Sequence, residues 1–171
     1  KMATNTTAVN NKDARVSQLN PTTNYGSAAY ITVGQSDGNG TNDNNRTYMS
    51  WTLPSIAGTI TAINLKVYCR TLSGTVYIQC YVGGGDFTES SITWNAVPTP
   101  GSTDGSYVYA HTVGAWSTLP IPTTGRSWGG TFRVALVSYY DLYYPYAAPY
   151  EYVLFHSKEY ADDTSQRPYI E

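Results

Sequence analysis

The pentapeptide Gly34-Gln35-Ser36-Asp37-Gly38 has the G-x-S-x-G spacing in which a serine on a sharp turn becomes a nucleophile. That chemistry needs a strand before the serine and a helix after it, whose amino end helps to hold the oxyanion. Here Asn39-Gly40-Thr41-Asn42-Asp43-Asn44 follows, which reads as a polar loop, so no nucleophile is expected. His111 and His156 stand in strand-like segments without a Cys, His or acidic residue at ligand spacing, and both are expected to be structural. Glu89, Asp141, Glu151 and Glu159 are the carboxylates available for glycoside chemistry, but nothing in the sequence pairs two of them. Phosphate loops, HExxH helices and dinucleotide fingerprints are missing, so the chain is expected not to be an enzyme.

Hard oxygen donors are plentiful while thiolate and imidazole are rare, which makes calcium the metal that the composition favours as a cofactor. Asp37, Asn39, Asn42 and Asp43 crowd one Gly-containing loop, with Asp37, Asn39 and Asp43 as the candidate ligands; the alternative is a solvated Asn/Asp turn. Cys69 and Cys80 sit symmetrically about Gly74 and Thr75, in two alternating segments that read as a β-hairpin. In that hairpin the two residues oppose each other and are expected to form a disulfide, the alternative being two buried thiols. Asn5, Asn39 and Asn45 each begin a glycosylation sequon.

Residues 139–152 contain an unusual density of tyrosine. A tyrosine has an apolar face and a polar tip, which suits stacking on sugar rings and equally suits a protein interface. Tyr139, Tyr140, Tyr143, Tyr144 and Tyr146, with Trp116 and Trp128, are the candidate ligand or interface aromatics. Pro145 and Pro149 interrupt any ladder, so this stretch is expected to be a connection.

The elements that position these groups are strands. Seventeen tyrosines and four tryptophans, with abundant Thr and Val, favour a pleated surface. Period-two alternation marks strands at 13–17, 28–33, 46–52, 59–70, 75–82, 91–94, 107–113, 130–140, 151–156 and 167–170. The expected fold is all-β, a two-sheet jelly-roll-like sandwich, with 1–12 an amino-terminal extension and 13–171 one domain. With charged residues at 13% and a formal net charge of −2, neither nucleic acid nor membrane insertion is expected. A neutral hydrogen-bonding surface leans to an extracellular or cell-surface setting, and a chain beginning Lys1-Met2-Ala3 is expected to be a processed or trimmed form.

Several blocks, in order along nearly the whole chain, resemble DNRLRE-type β-sandwich domains, relatives of the non-catalytic module of methanogen disaggregatase. They include Asn20-Pro21-Thr22-Thr23-Asn24-Tyr25-Gly26, Arg46-Thr47-Tyr48-Met49-Ser50-Trp51, Phe87-Thr88-Glu89-Ser90-Ser91-Ile92-Thr93-Trp94-Asn95 and Phe155-His156-Ser157-Lys158-Glu159. The resemblance implies a secreted jelly-roll-like sandwich of the carbohydrate-binding-module kind, some relatives binding acidic polysaccharide. Thr88-Glu89, Trp94-Asn95 and Ser157-Lys158-Glu159 read as structural corners.

Two functional expectations follow. The leading one is a non-catalytic subunit of a surface filament or layer, a homo-polymer in which Met2, Ala3, Thr4, Thr6, Ala8 and Val9 pair as a donor strand with a neighbouring copy. The alternative is a carbohydrate-binding module whose exposed aromatics form a platform for an extracellular polysaccharide.

Overall fold

Alternating apolar and polar residues build eleven strands, which a computed structural model describes over residues 7–36, 43–55, 59–103, 106–123, 129–143 and 150–171. In chain order these are β1 (Ala8–Val9), β2 (Lys12–Ser17), β3 (Tyr30–Gln35), β4 (Asn44–Leu53), β5 (Ile63–Ser73), β6 (Ile78–Val82), β7 (Tyr107–Val108), β8 (Ala115–Ile121) and β9 (Gly130–Ser138). A short helix α1 (Tyr139–Tyr143) precedes β10 (Tyr152–His156) and β11 (Tyr169–Ile170). Among the described residues no helix is long and apolar enough to cross a membrane.

All pairings are antiparallel. The long β5 organises one layer: β8 lies along one edge of it, while β11 and then β10 share the other, with β1 beyond β11 and β3 beyond β10. The second layer runs β2-β4-β9-β6-β7. Two residue pairs, Gly34↔Asn45 and Gln35↔Asn44, join the layers through β3 and β4. Gly34 has φ +103°, and a Cβ there would fall 2.3 Å from the Glu151 carbonyl oxygen, so this crossing needs glycine.

Facing residues fill the space between the layers: Ile31 and Val33, Met49, Trp51 and Leu53, Ile63, Leu65, Val67 and Cys69, Ile78, Leu119, Phe132, Leu136, Val153 and Phe155. This is the expected all-β sandwich. A second, smaller cluster lies on the far side of the second layer, where Phe87, Ile92, Trp94 and Val97 from the β6–β7 connection cover Ala14, Val16, Tyr48, Tyr81 and Ala135.

Three expectations are corrected. Cys69 and Cys80 are both buried and are not joined in a disulfide. The chain from 71 to 77 crosses between layers instead of turning back, so Cys69 opposes Ala115 and Phe155 while Cys80 opposes Leu136. Ala8 and Val9 pair with Ile170 and Tyr169 of their own chain, and Ala8 is buried in the core. An intramolecular edge is available without the entropy loss of association. Met2, Ala3, Thr4 and Thr6 lie outside the described residues. Finally, 91–94 is no strand but enters a 3₁₀ turn over Trp94–Ala96, whereas Ala115–Ile121, interrupted by Pro120, is one. Proline is tolerated there because, among the described residues, β8 pairs only with β5 along one edge.

Candidate functional site

Along β5 the odd positions Ile63, Leu65, Val67 and Cys69 enter the core, so Asn64, Lys66, Tyr68 and Arg70 point outward. On β8 the same alternation buries Ser117, Leu119 and Ile121 and turns Trp116 and Thr118 out beside them. The outer face of this layer therefore carries a row of rings. Trp116 opposes Tyr68, with ring centroids 5.4 Å apart, and reaches the Tyr169 ring of β11 at 5.0 Å. Tyr68 continues onto the imidazole of His156 at 5.2 Å, and His156 stacks on Tyr160 at 3.6 Å. Tyr30, beside His156 and Tyr160, receives the Arg70 guanidinium 4.6 Å above its ring.

The row is held rigidly. The Tyr68 hydroxyl donates to the Gly114 carbonyl at 2.7 Å, and Lys66 Nζ reaches Thr118 Oγ1 at 2.8 Å and Glu171 Oε1 at 3.2 Å. Burial, with the Arg70 charge adding to it, holds the His156 imidazole below its ordinary value and keeps it a neutral stacking surface. Trp116 is the most open of the tryptophans described, at 37% exposure. Arg70 makes no ion pair among the described residues.

Among the described residues the second layer has no comparable face, because its outer side is roofed by the β6–β7 connection. Arg46 is locked there: its guanidinium lies 4.6 Å above the Trp94 ring and pairs with both Asp141 oxygens, Nε to Oδ2 at 2.6 Å and Nη2 to Oδ1 at 3.1 Å. The connection is clamped by the 20–26 segment, since Asn24 Nδ2 donates to the carbonyls of Glu89 and Ile92 at 2.8 Å each. Gly26 is required beneath it, as a Cβ would fall 2.1 Å from the Glu89 carbonyl oxygen. Ser157 Oγ donates to the Ala28 carbonyl at 2.7 Å. The three suspected corners are thus joints of the fold.

Of the aromatics singled out from the sequence, Trp116 is in the exposed row. Tyr139, Tyr140 and Tyr143 form a separate cluster with Tyr77, Tyr107 and Tyr109 around α1 and β7, in which burial and the neighbouring Tyr143 push the Tyr107 hydroxyl up to about 12. Tyr144, Tyr146 and Trp128 lie outside the described residues, as do Asp37, Asn39 and Asn5. Asp43 is buried and accepts from the hydroxyls of Ser17 and Ser36, both at 2.6 Å. Asn45 cannot accept a glycan as folded: it is fully buried and its Nδ2 donates to Gly34 O, Ser36 Oγ and Asp43 O. Ser36, the serine of the hydrolase-like spacing, is spent on Asp43 and Asn45. His111 is buried with Nδ1 3.0 Å from Ser117 Oγ, and desolvation lowers its pKa.

Sequence reading missed Tyr68, Tyr169, His156, Tyr160, Lys66 and Arg70 as one group. The signal was present in the alternation Asn64-Lys66-Tyr68-Arg70, but strand partners alone bring Trp116 and Tyr169 to either side of it.

The structure is thus a β-sandwich with one roofed face and one open face that carries a row of rings. The sequence matches the family model of carbohydrate-binding module family 96 over residues 4–166, nearly its whole length, and the chain belongs to that family. No curated protein matches it.

Proposed function

We propose that the chain binds an extracellular polysaccharide on the outer face of the β5 layer, with no catalytic role. The row Tyr169–Trp116–Tyr68, on strands of the open face, is the observation that carries this reading. Aromatic faces bury the C–H surfaces of pyranose rings, and polar groups at their rims hold hydroxyl or carboxylate substituents. Lys66, Thr118 and Arg70 supply such groups beside the rings. Strands hold them in place before ligand arrives, which lowers the ordering cost of binding. The tyrosines around α1 stand on a short helix, the two-residue β7 and connections.

Polysaccharide pull-down followed by titration calorimetry on the best ligand tests the assignment. Trp116→Ala, with an unfolding midpoint close to that of the natural sequence, should weaken binding at least about tenfold, the loss of one stacked ring being worth roughly 1–3 kcal/mol. Binding unchanged by Trp116→Ala and Tyr169→Ala, but abolished by Tyr109→Ala with Tyr143→Ala, would move the site to the α1 cluster.

A further inference from the structure

Away from the ring row, three carboxylates from three distant parts of the sequence meet. Asp13 is the second residue of β2, Glu89 lies in the β6–β7 connection, and Glu159 follows β10; one oxygen from each falls within 4.8 Å of the others. Asp13 is 1% exposed. Its Oδ2 accepts from Asn10 Nδ2 at 2.6 Å and from the Lys158 backbone N–H at 2.7 Å, while its Oδ1 has no partner. Glu159 Oε2 is likewise buried without one. Glu89 Oε1 accepts from the Asp13 backbone N–H at 2.7 Å. The Lys158 ammonium lies 3.0 Å from Glu89 Oε2 and also contacts Glu159 Oε1.

Buried anionic oxygens without donors are costly, and the Lys158 ammonium pairs with Glu89 and Glu159 while Asp13 Oδ1 stays without a donor. A further cation among these oxygens would remove that conflict. The donors are all oxygen, which selects a hard ion. Oxygens on opposite sides of an ion bonded at 2.3–2.6 Å stand up to about 5 Å apart, which fits calcium, whereas magnesium demands a tighter octahedron. We propose that Asp13, Glu89 and Glu159 form a calcium site that ties the start of β2, the β6–β7 connection and the segment after β10 together, with the Lys158 ammonium as its built-in competitor.

Thermal unfolding of the intact chain in calcium chloride and in chelator is the test. Calcium about 100-fold above its Kd should raise Tm by about 5–10 °C. Glu159→Gln, checked for native circular dichroism in chelator, should lose that shift, with Glu89→Gln as a second variant should the first fold poorly. Lys158→Met should lower the calcium Kd about tenfold or more, because it removes a positive charge beside the ion. Asp37→Asn should leave the shift intact, which separates this site from the Asp37–Asp43 loop. Equal Tm in calcium and chelator for the natural sequence overturns the site, as does a shift that survives Glu159→Gln and Glu89→Gln.

Discussion

Replacing Asp141 by alanine strands the Arg46 guanidinium beneath the β6–β7 connection. The Asp141 side chain is 3% exposed and that of Arg46 23%, and they share two hydrogen bonds. Breaking a fully buried pair from one side costs about 3–5 kcal/mol, since the remaining charge keeps its desolvation penalty. Arg46 retains some water and its stacking on Trp94, which brings the expected loss below that range, to about 2–3 kcal/mol. For a chain of this size that is a fall in Tm of about 5–10 °C. Arg46→Met with Asp141→Leu removes both charges at similar volume and should recover most of the loss. Urea unfolding followed by circular dichroism measures all three stabilities and shows whether the m-value holds. Limited proteolysis should also cut residues 83–103 sooner in Asp141→Ala than in the double variant. A loss below about 1 kcal/mol for Asp141→Ala, or a double variant as unstable as the single one, would refute the idea that this pair fastens the connection.

The unfolded, unreduced protein should release two reactive thiols, and the native protein should react far more slowly, because burial pushes the Cys69 thiol up to about 11 and both cysteines are buried; one thiol or none on unfolding would contradict the strand pairing. Since His156 is held below its ordinary value of 6.5, the folded protein binds fewer protons than the unfolded chain below that pH, so this contribution to stability is whole above 6.5 and is lost on acidification. His156→Phe, which keeps a ring between Tyr160 and Tyr68, should lose less stability than the natural sequence between neutral and mildly acidic pH, as read from urea midpoints; parallel losses would remove His156 from the account.

Alternation was legible wherever it was strong. Residues 13–17, 46–52 and 130–140 were recognisable as strands because each turns one apolar side to a core, and the structure extends or trims their ends only slightly. Strand β8 escaped because Pro120 argues against a ladder, an argument that holds only for strands paired on both edges. The segment 91–94 misled for the opposite reason: Ile92 is buried, but as part of the roof over the second layer and not within a sheet. The most conspicuous local signal, tyrosine density at 139–152, supplied a second ring cluster instead of the row assigned to ligand.

The sequence by itself determined that the protein is all-β and which side of each strand is apolar, because side-chain direction in a strand repeats every two residues and needs no knowledge of partners. It therefore also determined that Lys66, Tyr68 and Arg70 share a face. Only the tertiary structure decided which strands lie next to one another, since many pairings satisfy the same alternation equally well and the choice among them rests on long-range closure of the core. That choice separated Cys69 from Cys80, returned Ala8 and Val9 to their own sheet, and set Trp116 and Tyr169 on either side of β5. It likewise gathered Asp13, Glu89 and Glu159 within 4.8 Å from positions far apart in the chain, a juxtaposition that no spacing in the sequence encodes.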